Sequence, residues 1–71
     1  MKGNIGKRIG FYLERNIKVH IMTEDRRFCN GYFIEVVDDG VFLFNDDVMG
    51  EIYIFEDNIN SMEQFKEKED A

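Results

Sequence analysis

The sequence predicts an all-β small barrel: an N-terminal α-helix over about residues 4–15, then five strongly bent antiparallel strands over about residues 17–65. Three observations predict it. Residues 4–16 carry the apolar spacing of one helix face, and from Ile17 the period switches to two. The strand-like runs that follow are short, are separated by polar or glycine-bearing turns, and contain no proline. Five short strands are too few for a sandwich, so a barrel is the expected architecture.

Asn4 is placed to cap the helix, and Ile5, Ile9, Tyr12 and Leu13 then follow at four-and-three spacing. Lys7, Arg8 and Arg15 fall away from that stripe. Gly6 and Gly10 each cost about 1 kcal/mol relative to alanine, so the helix is expected to form by docking. Asn16 closes it. Ile17, Val19, Ile21 and Thr23 alternate with Lys18, His20 and Met22, the pattern of a half-buried strand.

Glu24-Asp25-Arg26-Arg27 makes a tight polar turn, and Phe28–Val37 a long strand in which Asn30-Gly31 marks a bulge or sharp bend. Asp38-Asp39-Gly40 is a hairpin signal suited to a primed turn. Val41-Phe42-Leu43-Phe44 is apolar throughout, which predicts cover on both faces. Asn45–Gly50 is a loop, Glu51–Phe55 alternates again, and Glu56-Asp57-Asn58 is an acidic turn. Ile59–Phe65 supplies the last strand, and residues 66–71 form a charged tail.

The whole chain is one small domain of 71 residues, 44% apolar with ten Phe or Tyr, too apolar and aromatic for a disordered acidic tail. A domain this short buries only ~60% of its unfolded surface. One Cys excludes an internal disulfide, and one Cys with one His is too few for a structural zinc site, which leaves oligomerisation as the source of extra stability. No apolar run approaches the ~20 residues that span a bilayer, and residues 1–8 lack the apolar core of a signal peptide. The expectation is a cytoplasmic protein with no membrane association.

Net charge is −6, divided unevenly. Residues 1–30 hold seven bases and three acids, net +4, and residues 31–71 hold two bases and twelve acids, net −10. Such asymmetry suits a basic binding face or complementary faces that meet in self-assembly; a plain solvated surface is the simpler reading.

The stretch Val19-His20-Ile21-Met22-Thr23-Glu24-Asp25-Arg26-Arg27-Phe28-Cys29-Asn30-Gly31-Tyr32-Phe33 resembles the first motif of the Sm-like family, the SH3-like small barrels of eukaryotic Sm proteins, archaeal Sm-like proteins and bacterial Hfq. Phe28, Gly31 and Phe33 fall on its apolar, glycine and apolar positions. Ile54-Phe55-Glu56-Asp57-Asn58-Ile59 is similar to the family's second motif, usually Ile-Arg-Gly-Asp-Asn-Ile. The likeness covers roughly residues 4–65. It implies a homo-oligomeric ring, closed by pairing the fourth strand of one copy with the fifth of the next, and an RNA-associated role. Tyr53, Phe55 and Phe65 are the candidate interface residues.

The family's RNA loops map onto Asp38-Asp39-Gly40 and onto Phe55, Glu56, Asp57 and Asn58. Here both are acidic, and Phe55-Glu56 replaces Arg-Gly. Carboxylates repel phosphates, whose neutralisation by Lys and Arg supplies most non-specific nucleic-acid affinity. RNA contact is therefore expected at the basic helix face or the outer rim, through Lys7, Arg8, Arg15 and a stacking ring, Tyr12 or Phe11, with Lys2 adding charge. The alternative is an acidic protein-protein module that keeps the barrel and has lost RNA.

No catalytic residues, cofactor or metal site are expected. The acid pairs Asp38/Asp39, Asp46/Asp47 and Glu56/Asp57 read as turn chemistry, and only gathering of several copies would suit them to a hard cation. Nothing in the sequence resembles a nucleophile-base pair or a phosphate-cradling loop, so the chain does not read as an enzyme. His20 reads as a solvated or satisfied imidazole, and Cys29 as a small core filler.

Overall fold

A computed structural model of the protein describes residues 5–66. Helix α1 (Ile5–Arg15) leads into β1 (Val19–Thr23), β2 (Phe28–Asp38), β3 (Val41–Asp46) and β4 (Gly50–Phe55). A short 3-10 turn (Glu56–Asn58) then precedes β5 (Ile59–Gln64). Asn4, Lys2 and the tail beyond Lys66 lie outside the described residues.

The helix forms where its stripe predicts. Ile5, Ile9 and Tyr12 are buried and Leu13 packs beside them. Asn16 ends it in the left-handed region (φ 55°), with its N–H donating to the Leu13 carbonyl and that of Ile17 to the Tyr12 carbonyl. That pair of bonds satisfies carbonyls the last turn leaves open.

The strands form one antiparallel sheet in the order β4-β3-β2-β1-β5. It is not closed into a barrel, which corrects the expectation of closure. The 3-10 turn carries the chain from one edge of the sheet to the other, so β5 joins β1 and no ladder links it to β4. β1 buries Val19, Ile21 and Thr23 and leaves His20 and Met22 half-buried on its other face, as its alternation predicts.

β2 pairs with β1 through its first residues and with β3 along the rest. Gly31 stays in register, opposite Val19 and Asp46. The irregularities fall later, at Ile34 and Val37, which the register skips. Gly31 instead serves a close approach: a Cβ there would lie 1.9 Å from the Asn45 carbonyl oxygen. At the β2–β3 turn only Gly40 takes positive φ (75°), so Asp39-Gly40 does not form the doubly primed turn that the dipeptide suggests. β3 is covered fully on one face, by Phe42 and Phe44 in the core, and partly on the other, at Val41 and Leu43.

The core joins the helix stripe to Val19, Ile21, Cys29, Phe33, Phe42, Phe44, Ile54, Ile59 and Met62. Phe33 meets Phe44 edge-on at 4.9 Å and Phe42 at 5.9 Å, the geometry aromatic quadrupoles prefer. Each large side chain buried here contributes about 1.5–3 kcal/mol.

Candidate interaction surfaces

On α1, Lys7, Phe11 and Arg15 recur every four residues and form one exposed stripe. Phe11 is 47% exposed, and the Arg15 guanidinium lies 4.8 Å from its ring centroid. The two residues thus make a joint cationic and aromatic surface. Tyr12, the other stacking candidate, is buried, and Phe11 alone of the two offers a ring to solvent. Arg8 is engaged within the fold. It donates to the Met62 carbonyl and, at 3.5 Å, to the Tyr12 hydroxyl, which ties the helix to β5. Lys7, Arg8, Phe11, Tyr12 and Gln64 border a shallow open hollow.

The two acidic segments come together. The Glu56 N–H donates to the Gly40 carbonyl at 2.8 Å, and the Glu56 side chain lies 3.8 Å from where a Cβ on Gly40 would stand. Asp38, Asp39 and Glu56 therefore come together at one end of the sheet, whereas Asn58 sits beside the β1–β2 turn, its carbonyl accepting from the Glu24 N–H at 2.8 Å. Asp38 is partly occupied in the turn, accepting from the Asp39 N–H at 2.7 Å. Around this end Val36, Val37 and Phe55 are all exposed, Phe55 at 54%. The register pairs Phe55 with Val41 and Tyr53 with Leu43, so these four share the outer face of the β3–β4 hairpin.

The free edge of β4 borders an open groove of about 460 Å³. Its apolar lining gathers Phe28, Val48, Met49, Ile52, Tyr53 and Ile54. Val48 is 90% exposed and Tyr53 61%. A concentration of exposed apolar side chains beside unpaired strand backbone is what an interaction edge presents. Phe65, the third interface candidate, is half-buried: its ring lies 4.5 Å from the Lys18 ammonium, and its N–H donates to the Lys18 carbonyl.

Several further polar groups have partners within the fold. Asp46 is buried and accepts three backbone N–H bonds, from Asn30 at 3.1 Å and from Val48 and Met49 at 2.9 Å each. It fastens the β3–β4 turn to β2. Asp47 pairs with Lys18 at 2.8 Å. His20 stacks on Phe28 (5.4 Å, 17°) and shares a hydrogen bond with Asn30, partners that the chain order does not reveal. The Thr23 hydroxyl donates to Asp25 and holds its carboxyl below the usual carboxylate range. Burial, aided by the Asp46 charge, pushes the Cys29 thiol up. Among the described residues, no group of three or more His, Cys, Asp or Glu side chains is placed to hold a metal ion. No helix there is long and apolar enough to cross a membrane.

No family model, curated protein or solved structure matches this chain.

Proposed function

We propose that this chain is a non-enzymatic binding module of the Sm-like kind, which assembles through its open sheet edges and binds single-stranded RNA on its helix. The observation that carries the RNA reading is the exposed Lys7–Phe11–Arg15 stripe. Cations meet phosphates there, and a ring beside them offers a base a stacking surface. The acidic loops disfavour RNA at their own end of the sheet. Assembly is supported by the free edges of β4 and β5: strand addition pairs the backbone groups they expose, and repeated head to tail it closes a ring in which neighbouring copies complete a barrel-like wall. Tyr53 and Phe55 stand on the edge that would be covered.

A second reading is favoured by the convergence of Asp38, Asp39 and Glu56 around exposed Val36, Val37 and Phe55. That end suits a basic protein partner and gives an acidic interaction module. Fluorescence anisotropy with labelled oligo-U and oligo-A at low salt separates the two. The RNA reading expects binding that weakens about tenfold or more in Lys7→Glu/Arg15→Glu and falls steeply with salt. Failure of the wild-type protein to bind either oligomer, or equal binding by the variant, overturns it.

A further inference from the structure

We infer that the basic, Phe11-bearing face of the helix in one copy docks on the acid-rimmed apolar end of the β2–β3 hairpin in a second copy, and that RNA displaces it. The displacement rests on the helix face being the RNA contact proposed above; the docking does not.

The hairpin end is apolar where a lone domain has no use for it. Val37 is skipped by the β2–β3 register close to the turn, so it faces no cross-strand partner, and its side chain is exposed. Phe55, 54% exposed, pairs with Val41 on the outer face, and the register sets Glu35 and Asp38 on that same face, whereas Val36, opposite Phe42, lies on the other. Glu35, Asp38 and Asp39 lie within the same segment, and Glu56 is brought to it by its bond to Gly40. The surface is an apolar centre with a negative rim.

The helix face has the same plan with a net opposite sign: exposed Phe11 at the centre, Lys7, Arg8 and Arg15 around it, and exposed Glu14 the one acid of the helix. Interfaces with an apolar centre, a polar rim and complementary charge are both steered and specific. Within one copy the two surfaces do not neutralise each other. Among the described residues, Lys7, Arg8 and Arg15 form no ion pair with Glu35, Asp38, Asp39 or Glu56, and the Lys7–Phe11 hollow opens beside Gln64 of β5. The opposite charge of the two patches on one chain makes a second copy the proposed occupant. The contact joins unlike patches, so it propagates head to tail. It shares Phe55 with the β4 side but rests on charges that strand pairing does not use, so charge reversal separates the two contacts.

Charge reversal tests it. Lys7→Glu/Arg15→Glu and Asp39→Lys/Glu56→Lys are surface variants whose folding is checked by circular dichroism. Sedimentation velocity of the wild-type protein is expected to show a species whose population falls between ~0.05 M and ~0.5 M salt, as screening shortens the reach of surface charge. Each variant alone loses that species, and an equimolar mixture of the two regains it. Val37→Ser, off the β4 edge, weakens it at both salt concentrations. Oligo-U added to the wild-type protein dissolves it while leaving any strand-paired oligomer in place. Variants that associate like the wild type, or a mixture that fails to restore association, overturn the docking. Restoration by mixing without an oligo-U effect overturns only the displacement, and absence of a strand-paired oligomer leaves the mixing result unaffected.

Discussion

The Asn45 carbonyl oxygen occupies the space that a side chain on Gly31 would need: a Cβ there would lie 1.9 Å from that oxygen and 2.9 Å from its carbon. Both contacts are with backbone, so no rotamer change relieves them. Gly31→Ala must push β3 away from β2 at the point where β2 passes from its pairing with β1 to its pairing with β3. Overpacking in a dense interior typically costs 1–3 kcal/mol, and this site belongs at about 3 kcal/mol. Urea denaturation measures it, and a loss below about 1 kcal/mol would show that the strands separate easily.

Asp46→Ala strands three backbone N–H groups, two of them in the tight turn before β4. Hydrogen bonds to a charged acceptor contribute about 1.5–3 kcal/mol each, and water reaches part of the turn after truncation, so a net loss of about 3 kcal/mol is expected. Asp46→Asn keeps one acceptor oxygen and is expected to lose less than the alanine variant. Equal losses in the two would mean that the carboxylate is not what holds the turn.

The raised Cys29 pKa makes two statements. The thiolate is the reactive form, so alkylation of the native protein near pH 8 is expected to be slow and to accelerate on unfolding. Folding holds the proton more tightly than the unfolded chain does. The associated stability is therefore present in full below the unfolded thiol value of about 8.5 and is lost as pH rises through the higher folded value. Cys29→Ser removes that alkaline loss from a stability-pH curve. Rapid labelling of the folded protein would contradict the burial.

Tyr53→Ser and Phe55→Ser remove exposed rings from the β4 side of the sheet. Neither ring lies in the core, so monomer stability is expected to change by less than about 1 kcal/mol. Association through β4 is expected to weaken markedly. Native mass spectrometry at several concentrations reads it, and unchanged stoichiometry in the double variant would remove β4 from the assembly surface.

Local patterns were legible in the chain; distances across it were not. The stripe Ile5, Ile9, Tyr12 and the alternation of β1 are readable because each is set by a period of a few residues. Gly31 stands out, but glycine reports only a missing Cβ, and a bulge and a close backbone approach leave the same trace. The bulges fall instead at Ile34 and Val37, residues with no sequence cue for irregularity. Asp46 looks like half of an acidic turn pair until the register brings Asn30 against it. The roles of Phe11 and Tyr12 depend on the rotation of one helix, which places neighbouring aromatics on opposite sides of the same surface. Apolar runs foretell strands without saying whether the outermost two meet, which is why an open sheet stands where a closed one was expected.

β1 is interior to the sheet only because β5 covers it, with Val19 opposite Gln64 and Thr23 opposite Ile59. During synthesis the hairpins β1–β2, β2–β3 and β3–β4 can form as soon as their residues emerge, since each joins consecutive strands. β1 then has one flank bare until the last of these strands arrives. Closure across so long a stretch of chain carries an entropic cost that consecutive hairpins avoid, making this the slow pairing of the fold. Val19 and Ile21, completely buried in the finished domain, belong to a half-covered strand until it forms. A nascent chain halted before Ile59 would thus display a sticky flank to the translation machinery, and chaperones that hold exposed strands would be drawn to it.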